Sequence, residues 1–240
     1  MIQLLDLVET DEKNIFKNSQ LNAKNPSQFV LSEALRKLHT LSNRMMSNFE
    51  ALFTYIHETA GKSLSAQDKQ LLMVHFKPKK LRKRQYFLQE GDVCRYIGFI
   101  TKGSARTFTV DEKGNEHILK LSLENWWLAD FESFYKLTPS RFNIEALEEL
   151  EVLQTTNAEI EDVLKQIPAF LEMSSVINQN YTIANQKRIE AAMTYTAEER
   201  YGDLVRNYPQ FLKRFPQNMI ASYLGLSRET LSRLRKNALK

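Results

Sequence analysis

Between Lys79 and about Asn157 the apolar residues leave helical spacing and fall into short alternating runs, and on either side they return to steps of three and four. A chain with this double change of period must build a β-rich body flanked by helices. Alternation by two buries one face of a strand, whereas steps of 3.6 bury one stripe of a helix. The runs cover residues 96–100, 105–110, 117–121 and 151–155. Glu90-Gly91-Asp92, Lys102-Gly103-Ser104 and Asp111-Glu112-Lys113-Gly114-Asn115 separate runs in this block. The last break predicts a hairpin, with Gly114 accepting a positive φ at the turn. Short strands at this spacing predict an antiparallel barrel or sandwich within an α+β chain.

The flanks are helical. Phe49, Leu52, Phe53 and Ile56 recur on one helix face, and Ser65-Ala66-Gln67-Asp68 reads as a second helix start. Beyond Ile167-Pro168 a long helix is predicted over 168–193. Its stripe of Phe170, Met173, Ile177, Tyr181, Ala184 and Arg188 is the expected dimerisation face, where two such helices pack across a two-fold axis. The competing reading has that helix cover its own barrel. Thr196 and Glu199 form a capping box, and Tyr208-Pro209 ends the helix that follows. Residues 1–45 are acidic near Glu9–Glu12, then polar. They read either as a loose extension or as an accessory helix near 32–41. The expected domains are therefore 1–45, 46–167, 168–195 and 196–240.

The segment Pro216 to Lys240 carries the chemistry. It predicts a helix, a tight turn and a second helix. Pro216 suits a helix entry, and Gly225 takes a left-handed turn without penalty. Ser227 caps the second helix. Leu231 and Leu234 fill its inner face, which leaves Arg228, Glu229 and Arg233 outside to meet base edges. Arginine matches the two acceptors of guanine, and glutamate accepts from the cytosine amino group. Gln217, Ser227, Thr230, Ser232, Arg235 and Lys236 are placed for phosphates, which fix docking and read no sequence. From Thr196 to Lys240 there are nine Lys or Arg against four Asp or Glu, a local field suited to a polyanion.

Other classes are poorly served. No run approaches about 18 apolar residues, so no membrane span is expected. No secretory pattern opens the sequence, and the cytoplasm is the expected compartment. The one cysteine, Cys94, excludes an internal disulfide and reads as a buried small hydrophobe. No nucleophile–base set, metal-ligand spacing or phosphate loop stands out, so neither an enzyme nor a metal site is expected. The basic cluster of Lys77, Lys79, Lys80, Arg82, Lys83 and Arg84 reads as a solvated rim. Adjacent Trp126 and Trp127 are expected to divide between core packing and a domain contact.

The stretches Ile220–Arg235, Glu124–Trp127 and Phe142–Glu148 resemble the cyclic AMP receptor protein/Fnr (Crp/Fnr) family of bacterial transcription regulators, and most closely a compact branch common in Bacteroidetes. The resemblance implies a jelly-roll, cyclic-nucleotide-binding-like barrel, a long dimerisation helix and a C-terminal helix-turn-helix of winged-helix type without the terminal wing. It also implies a homodimer on near-palindromic promoter DNA, with a TGTGA-like half-site and RNA polymerase as a further partner. Members that bind cyclic AMP use a Gly-Glu pair and an Arg-Ser/Thr-Ala run. The matching positions here are Ala129-Asp130 and Ser140-Arg141-Phe142, with the arginine displaced by one place. Asp130, Ser140, Arg141 and Phe142 are thus the expected effector residues. Cyclic AMP bound in the usual way is not expected, and either another small effector or none remains open. An iron–sulfur sensor needs several cysteines. A haem could draw on His57, His75 or His117, each read more readily as structural. The alternative function is a small-molecule or protein-binding module whose DNA binding has degenerated.

Overall fold

In the computed structural model of the chain, which describes residues 42, 44 and 46–238, the alternating runs form two four-stranded antiparallel sheets. Helix α1 (46–60) and helix α2 (Ala66–His75) come first. Strands β1 (Lys77–Leu81), β2 (Tyr86–Leu88), β3 (Tyr96–Lys102), β4 (Ala105–Val110), β5 (Glu116–Ser122) and β6 (Trp127–Leu128) follow. Helix α3 (Phe131–Lys136) precedes β7 (Asn143–Ala146) and β8 (Leu150–Thr156). The rest is helical: α4 (Asn157–Gln166), α5 (Pro168–Thr194), α6 (Ala197–Asn207), α7 (Phe211–Arg214), α8 (Gln217–Leu224) and α9 (Arg228–Ala238). One sheet runs β1-β8-β3-β6 and the other β2-β7-β4-β5. Residues from Asn48 onward form one compact unit. The expectations for residues 1–41 lie outside the described residues.

All four expected runs are strands. The β4–β5 hairpin pairs Ala105 with Ser122 and Val110 with Glu116, with one irregularity after Thr107. Its turn is held by the Asp111 carboxylate, which accepts from the Lys113 and Asn115 amides, and Gly114 has φ 81° as expected. Four further strands gave no alternating signal. Only Leu81 of β1 is buried, and β6 is two residues long. All four residues of β7 are buried, so neither of its faces is polar. Its Glu145 is neutralised by buried Arg106 of β4, which also pairs with Glu116. Cys94 is buried and free, as expected.

Local chemistry starts the helices where the sequence predicts. Thr196–Glu199 forms the expected capping box, the expected helix start at Ser65–Asp68 is a second, and Thr156–Glu159 forms a third. Each returns two otherwise orphaned amides to hydrogen bonds. Helix α5 opens with Pro168 and runs for 27 residues.

The start of the stripe expected to dimerise is covered by the barrel, while its Tyr181, Ala184 and Arg188 are exposed. Phe170 and Met173 are each 1% exposed, and the Phe170 ring packs against Phe76 and Trp127. Tyr181 lies against Phe131, and Arg188 donates to the Leu119 carbonyl of β5. A stripe at helical spacing shows that one face is covered, not what covers it. Here the barrel of the same chain covers its first turns, which removes Phe170 and Met173 from any two-fold seam. Ile177 is half-buried and Ala184 exposed. Phe170→Ala should therefore cost the protomer about 3–5 kcal/mol. Urea unfolding of that variant beside Val74→Ala, which removes an exposed side chain of α2, should show the large loss in Phe170→Ala alone.

Candidate nucleic-acid interface

The C-terminal helices share one apolar core of Tyr201, Leu204, Phe211, Phe215, Ile220, Ala221, Leu231 and Leu234. Helix α8 begins at Pro216 and ends at Gly225, whose φ is 67°. The Gly225 amide returns to Ser222 and the Leu226 amide to Ala221, closing the turn with the left-handed C-terminal geometry that glycine favours. Arg200 of α6 adds a bond from Nη1 to the Leu224 carbonyl at 2.9 Å. Sequence reasoning missed this residue, because its partner lies 24 positions away. Ser227 Oγ accepts the Thr230 amide at 3.1 Å, so the expected N-terminal cap of α9 is present.

Buried Leu231 and Leu234 clamp α9 from within, leaving Arg228, Glu229, Arg233 and Lys236 exposed together on its outer side. Ser232 and Arg235 are half-buried at its margins, as is Thr230, while Ser227 and Gln217 are exposed at the two helix starts. The Glu229 backbone amide and the Ser227 hydroxyl hold the Glu229 carboxyl below its usual range, so it is ionised and accepts hydrogen bonds at neutral pH. The face therefore presents two guanidinium groups, one ammonium and one carboxylate on a capped, internally braced rod.

That rod is braced on the sheet through contacts no local pattern could reveal. Strand β5 is the outer strand of its sheet. Its Ile118 amide donates to Ser222 Oγ of α8 at 3.0 Å, and Ser222 Oγ donates to the Glu116 carbonyl at 3.4 Å. The Arg188 guanidinium stacks 4.6 Å from the Tyr223 ring of α8. Trp126 sits 5.9 Å from both Tyr208 and Phe211, while Trp127 joins the core with Phe76, Phe99 and Phe170. The expected division of the two tryptophans is what the structure shows.

Arg214 of α7 reaches Glu124 and Glu148, which lie in the turns before β6 and β8. Glu124 also accepts the Gly103 amide and Glu148 the Ser104 hydroxyl. Burial would raise both carboxyls, yet these bonds hold each below its usual range. Because the folded values are depressed, the stabilisation they supply is present above the ordinary carboxylate range. It is lost as pH falls through the depressed values. Arg214→Ala should speed amide hydrogen exchange in α7 and α8 at pH 7. Acidification below about pH 4 should bring the wild type toward the variant, since ordinary carboxyls titrate near there.

The four expected effector residues do not form one ligand-facing set. Asp130 is buried and its carboxylate is engaged, accepting from the Glu132 and Ser133 amides and from Ser140 Oγ at 2.7 Å. It caps α3 and ties down the following loop, and Ser140 also accepts the Phe142 amide. Arg141 is exposed, as its one-place displacement implies, and Phe142 is half-buried. A surface cavity of about 400 Å³ lies between Tyr86 and Tyr96, with Asp92 and Arg95 in its wall, and the Gly91 amide and Asp92 carbonyl of that wall pair with the Ser140 backbone. Among the described residues no group of acidic, His or Cys side chains is arranged to hold a metal ion. No helix among them is long and apolar enough to cross a membrane.

Known proteins share this architecture. Residues 78–167 match the cyclic nucleotide-binding domain family. The regulatory protein HlyX of Actinobacillus pleuropneumoniae is 26% identical over 167 residues, which is 65% of this chain and 69% of that protein. The chain spans 60–64% of the length of three further curated regulators that it matches. Among solved structures, FixK2 from Bradyrhizobium japonicum superposes with a TM-score of 0.56 at 16% identity, covering 68% of this chain and 83% of that one. A Crp/Fnr-family regulator from Eubacterium rectale gives 0.52 at 16% identity, covering 72% and 83%. A cyclic-nucleotide-binding jelly roll followed by a helical C-terminal region thus defines the class of protein. Within that class the chain is similar to regulators such as HlyX.

Proposed function

We propose that the chain is a sequence-specific DNA-binding transcriptional regulator that acts as a homodimer and lays α9 in the major groove of a near-palindromic promoter site. One observation carries this reading. Arg228, Glu229 and Arg233 stand free on the outer face of a helix whose inner face, cap and preceding turn are all fixed. Arg228 and Arg233 read guanine edges, and Glu229 accepts from cytosine. Gln217, Ser227, Thr230, Ser232, Arg235 and Lys236 hold phosphates around them. In this division residues 46–167 form the effector domain, 168–195 the dimerisation helix and 196–240 the DNA-binding domain, with 1–45 as an extension. RNA polymerase is the further partner such a regulator addresses. The compact Bacteroidetes-type branch is supported by the motifs at Glu124–Trp127 and Ile220–Arg235. The protein acts by binding, with no catalytic step. The alternative of a sensor with degenerate DNA binding has no observation of its own, since α9 retains a full exposed reading set.

The dimer seam lies on the side of α5 away from the expected stripe. From 178 to 190 every residue of α5 except Asn185 is exposed, including Ile183 at 52%, and Met193 beyond is 81% exposed. Such a bare helix needs tertiary packing to persist. Successive residues turn by about 100°, so Val176, Gln179, Ile183, Gln186 and Met193 lie across from Arg188 at coiled-coil spacing. In this seam Ile183 replaces Phe170 and Met173 as the anchor.

Selection of bound sequences from random duplexes with the purified protein should return a two-fold symmetric site. Arg233→Ala should then reduce preference for that site over random DNA by roughly 1–3 kcal/mol. An unchanged preference would falsify the base-reading role. Ile183→Glu should shift the protein toward monomer in sedimentation velocity and leave the protomer folded by circular dichroism.

A further inference from the structure

The basic cluster of the sequence is still without a role. Lys79 and Lys80 lie on β1, the outer strand of its sheet, and Arg82, Lys83 and Arg84 form the turn that follows. All five are exposed, and among the described residues none of them has a carboxylate partner. Lys77 differs, since it donates to the Val74 carbonyl and lies in the field of Glu159. The turn itself is fixed. The Gln85 amide donates to the Arg82 carbonyl at 3.0 Å, the Arg82 amide to Gln85 Oε1 at 2.6 Å and the Arg84 amide to the Ala146 carbonyl of β7 at 2.7 Å. Arg84 has φ 68°, a left-handed conformation that glycine or asparagine adopts more cheaply. An arginine is kept there at a conformational cost, beside two further cations that repel it.

Two ordinary explanations cover only part of this. Lysines on an outer strand discourage pairing with another chain, which accounts for Lys79 and Lys80. Arg82, Lys83 and Arg84 lie beyond the strand, where no such edge needs guarding. A solvated rim tolerates charges of either sign, yet no acid interrupts the run from Lys79 to Arg84. The surface also lacks what a protein partner uses, because interface cores are apolar and depleted in lysine. From Lys79 to Gln85 the one apolar side chain, Leu81, is buried. A phosphate backbone asks only for cations at fixed positions.

We propose that Lys79, Lys80, Arg82, Lys83 and Arg84 form a second DNA contact, which holds phosphates of the duplex flanking the site that α9 reads and takes no part in reading sequence. This contact rests on the DNA-binding function proposed above. Its place in the fold fits. Leu81 pairs with Leu150 and the Arg84 amide binds Ala146, so the basic turn adjoins the turn over residues 147–149. Glu148 in that turn accepts from Arg214 of α7, the helix just before the helix-turn-helix. The basic turn and the reading helices are thus tied to the same end of the barrel. Each DNA strand carries a charge about every 3.4 Å along the axis whatever its sequence, so a flank leaving α9 at that end meets a field of opposite sign. Helix α9 sets the register, and the basic turn lengthens the contact.

The test compares two duplexes with the full chain. One is limited to the selected site, and the other extends that site on each side by roughly 15 base pairs of random sequence, about one and a half helical turns. The wild type should bind the extended duplex roughly fivefold or more tightly at low salt, and lose that excess as salt rises, by about 0.9 in the log–log slope for each phosphate held. Arg82→Gln with Lys83→Gln should abolish the excess, lower the slope on the extended duplex by about 2 and leave the short duplex within about twofold. Neither side chain has a partner, so this variant should melt with the wild type. Lys79→Gln with Lys80→Gln tests the same patch from the strand. Arg95→Gln with Lys165→Gln removes equal charge beside the opposite end of β3 and from α4, and should keep the excess. Equal affinity of the wild type for the two duplexes, or an excess that survives both patch variants, overturns the contact and leaves these cations to an acidic protein surface or to solvent. An equal loss in the patch and control variants overturns it as well, since net charge then explains the effect. A wild type that binds neither duplex defeats the DNA-binding reading itself, and this contact with it.

Discussion

The outer edge of β5 is the constraint on which the arrangement of this protein turns. An outer strand leaves a row of amides and carbonyls that invites pairing with another chain, and proteins cover or blunt such edges. Here α8 and α5 cover it. Ser222 takes the Ile118 amide and offers its proton to the Glu116 carbonyl, while Arg188 donates to the Leu119 carbonyl. Satisfying a strand edge with the first helix of the helix-turn-helix ties the pose of α9 to the sheet. The apolar core follows the same logic, since Phe108, Ile118 and Leu121 of the sheet join the cluster built by Phe211, Ile220 and Leu231.

Charge is used differently in the two halves of that contact. Arg106 with Glu145 is a buried pair that exposed Glu116 extends to the surface, and removing either buried member would strand the other. Arg214 with Glu124 and Glu148 is half-exposed, bridges α7 to two turns of the barrel and is screened by solvent. The first suits a permanent structural joint. The second is weak enough to open, and it lies close to Trp126, which reaches both the barrel interior and the C-terminal core. Lys120 stands apart from both, as a cation inside the barrel with only a carbonyl and a ring for company.

Much of this is legible in the sequence. Strands β3, β4, β5 and β8 announced themselves by alternation, and three helix starts did so by their capping residues. The turn at Gly225 and the exposed trio on α9 followed from spacing alone. The unreadable parts share one cause, which is that the decisive partner is distant in sequence. Strand β7 is buried on both faces, with Glu145 hidden behind Arg106, so it shows no period. The stripe on α5 fits either a second copy or the chain's own barrel, and its Phe170 meets Trp127 of the same chain. Lys120 sits in a run where alternation would put a charged residue outside, and only the pairing of β4 with β5 reveals that it faces inward.

The sequence by itself determined strands β3, β4, β5 and β8, the capped helix starts and the exposed face of α9, because periodicity, caps and turn glycines act over a few residues and need no knowledge of the rest of the chain. Tertiary structure alone decided which side of α5 is covered, where the helix-turn-helix docks and which polar groups end up between the sheets. Those outcomes depend on surfaces brought together across scores of residues. Burial and hydrogen bonding act on what is near in space, and a pattern of residue types records only that a face will be covered.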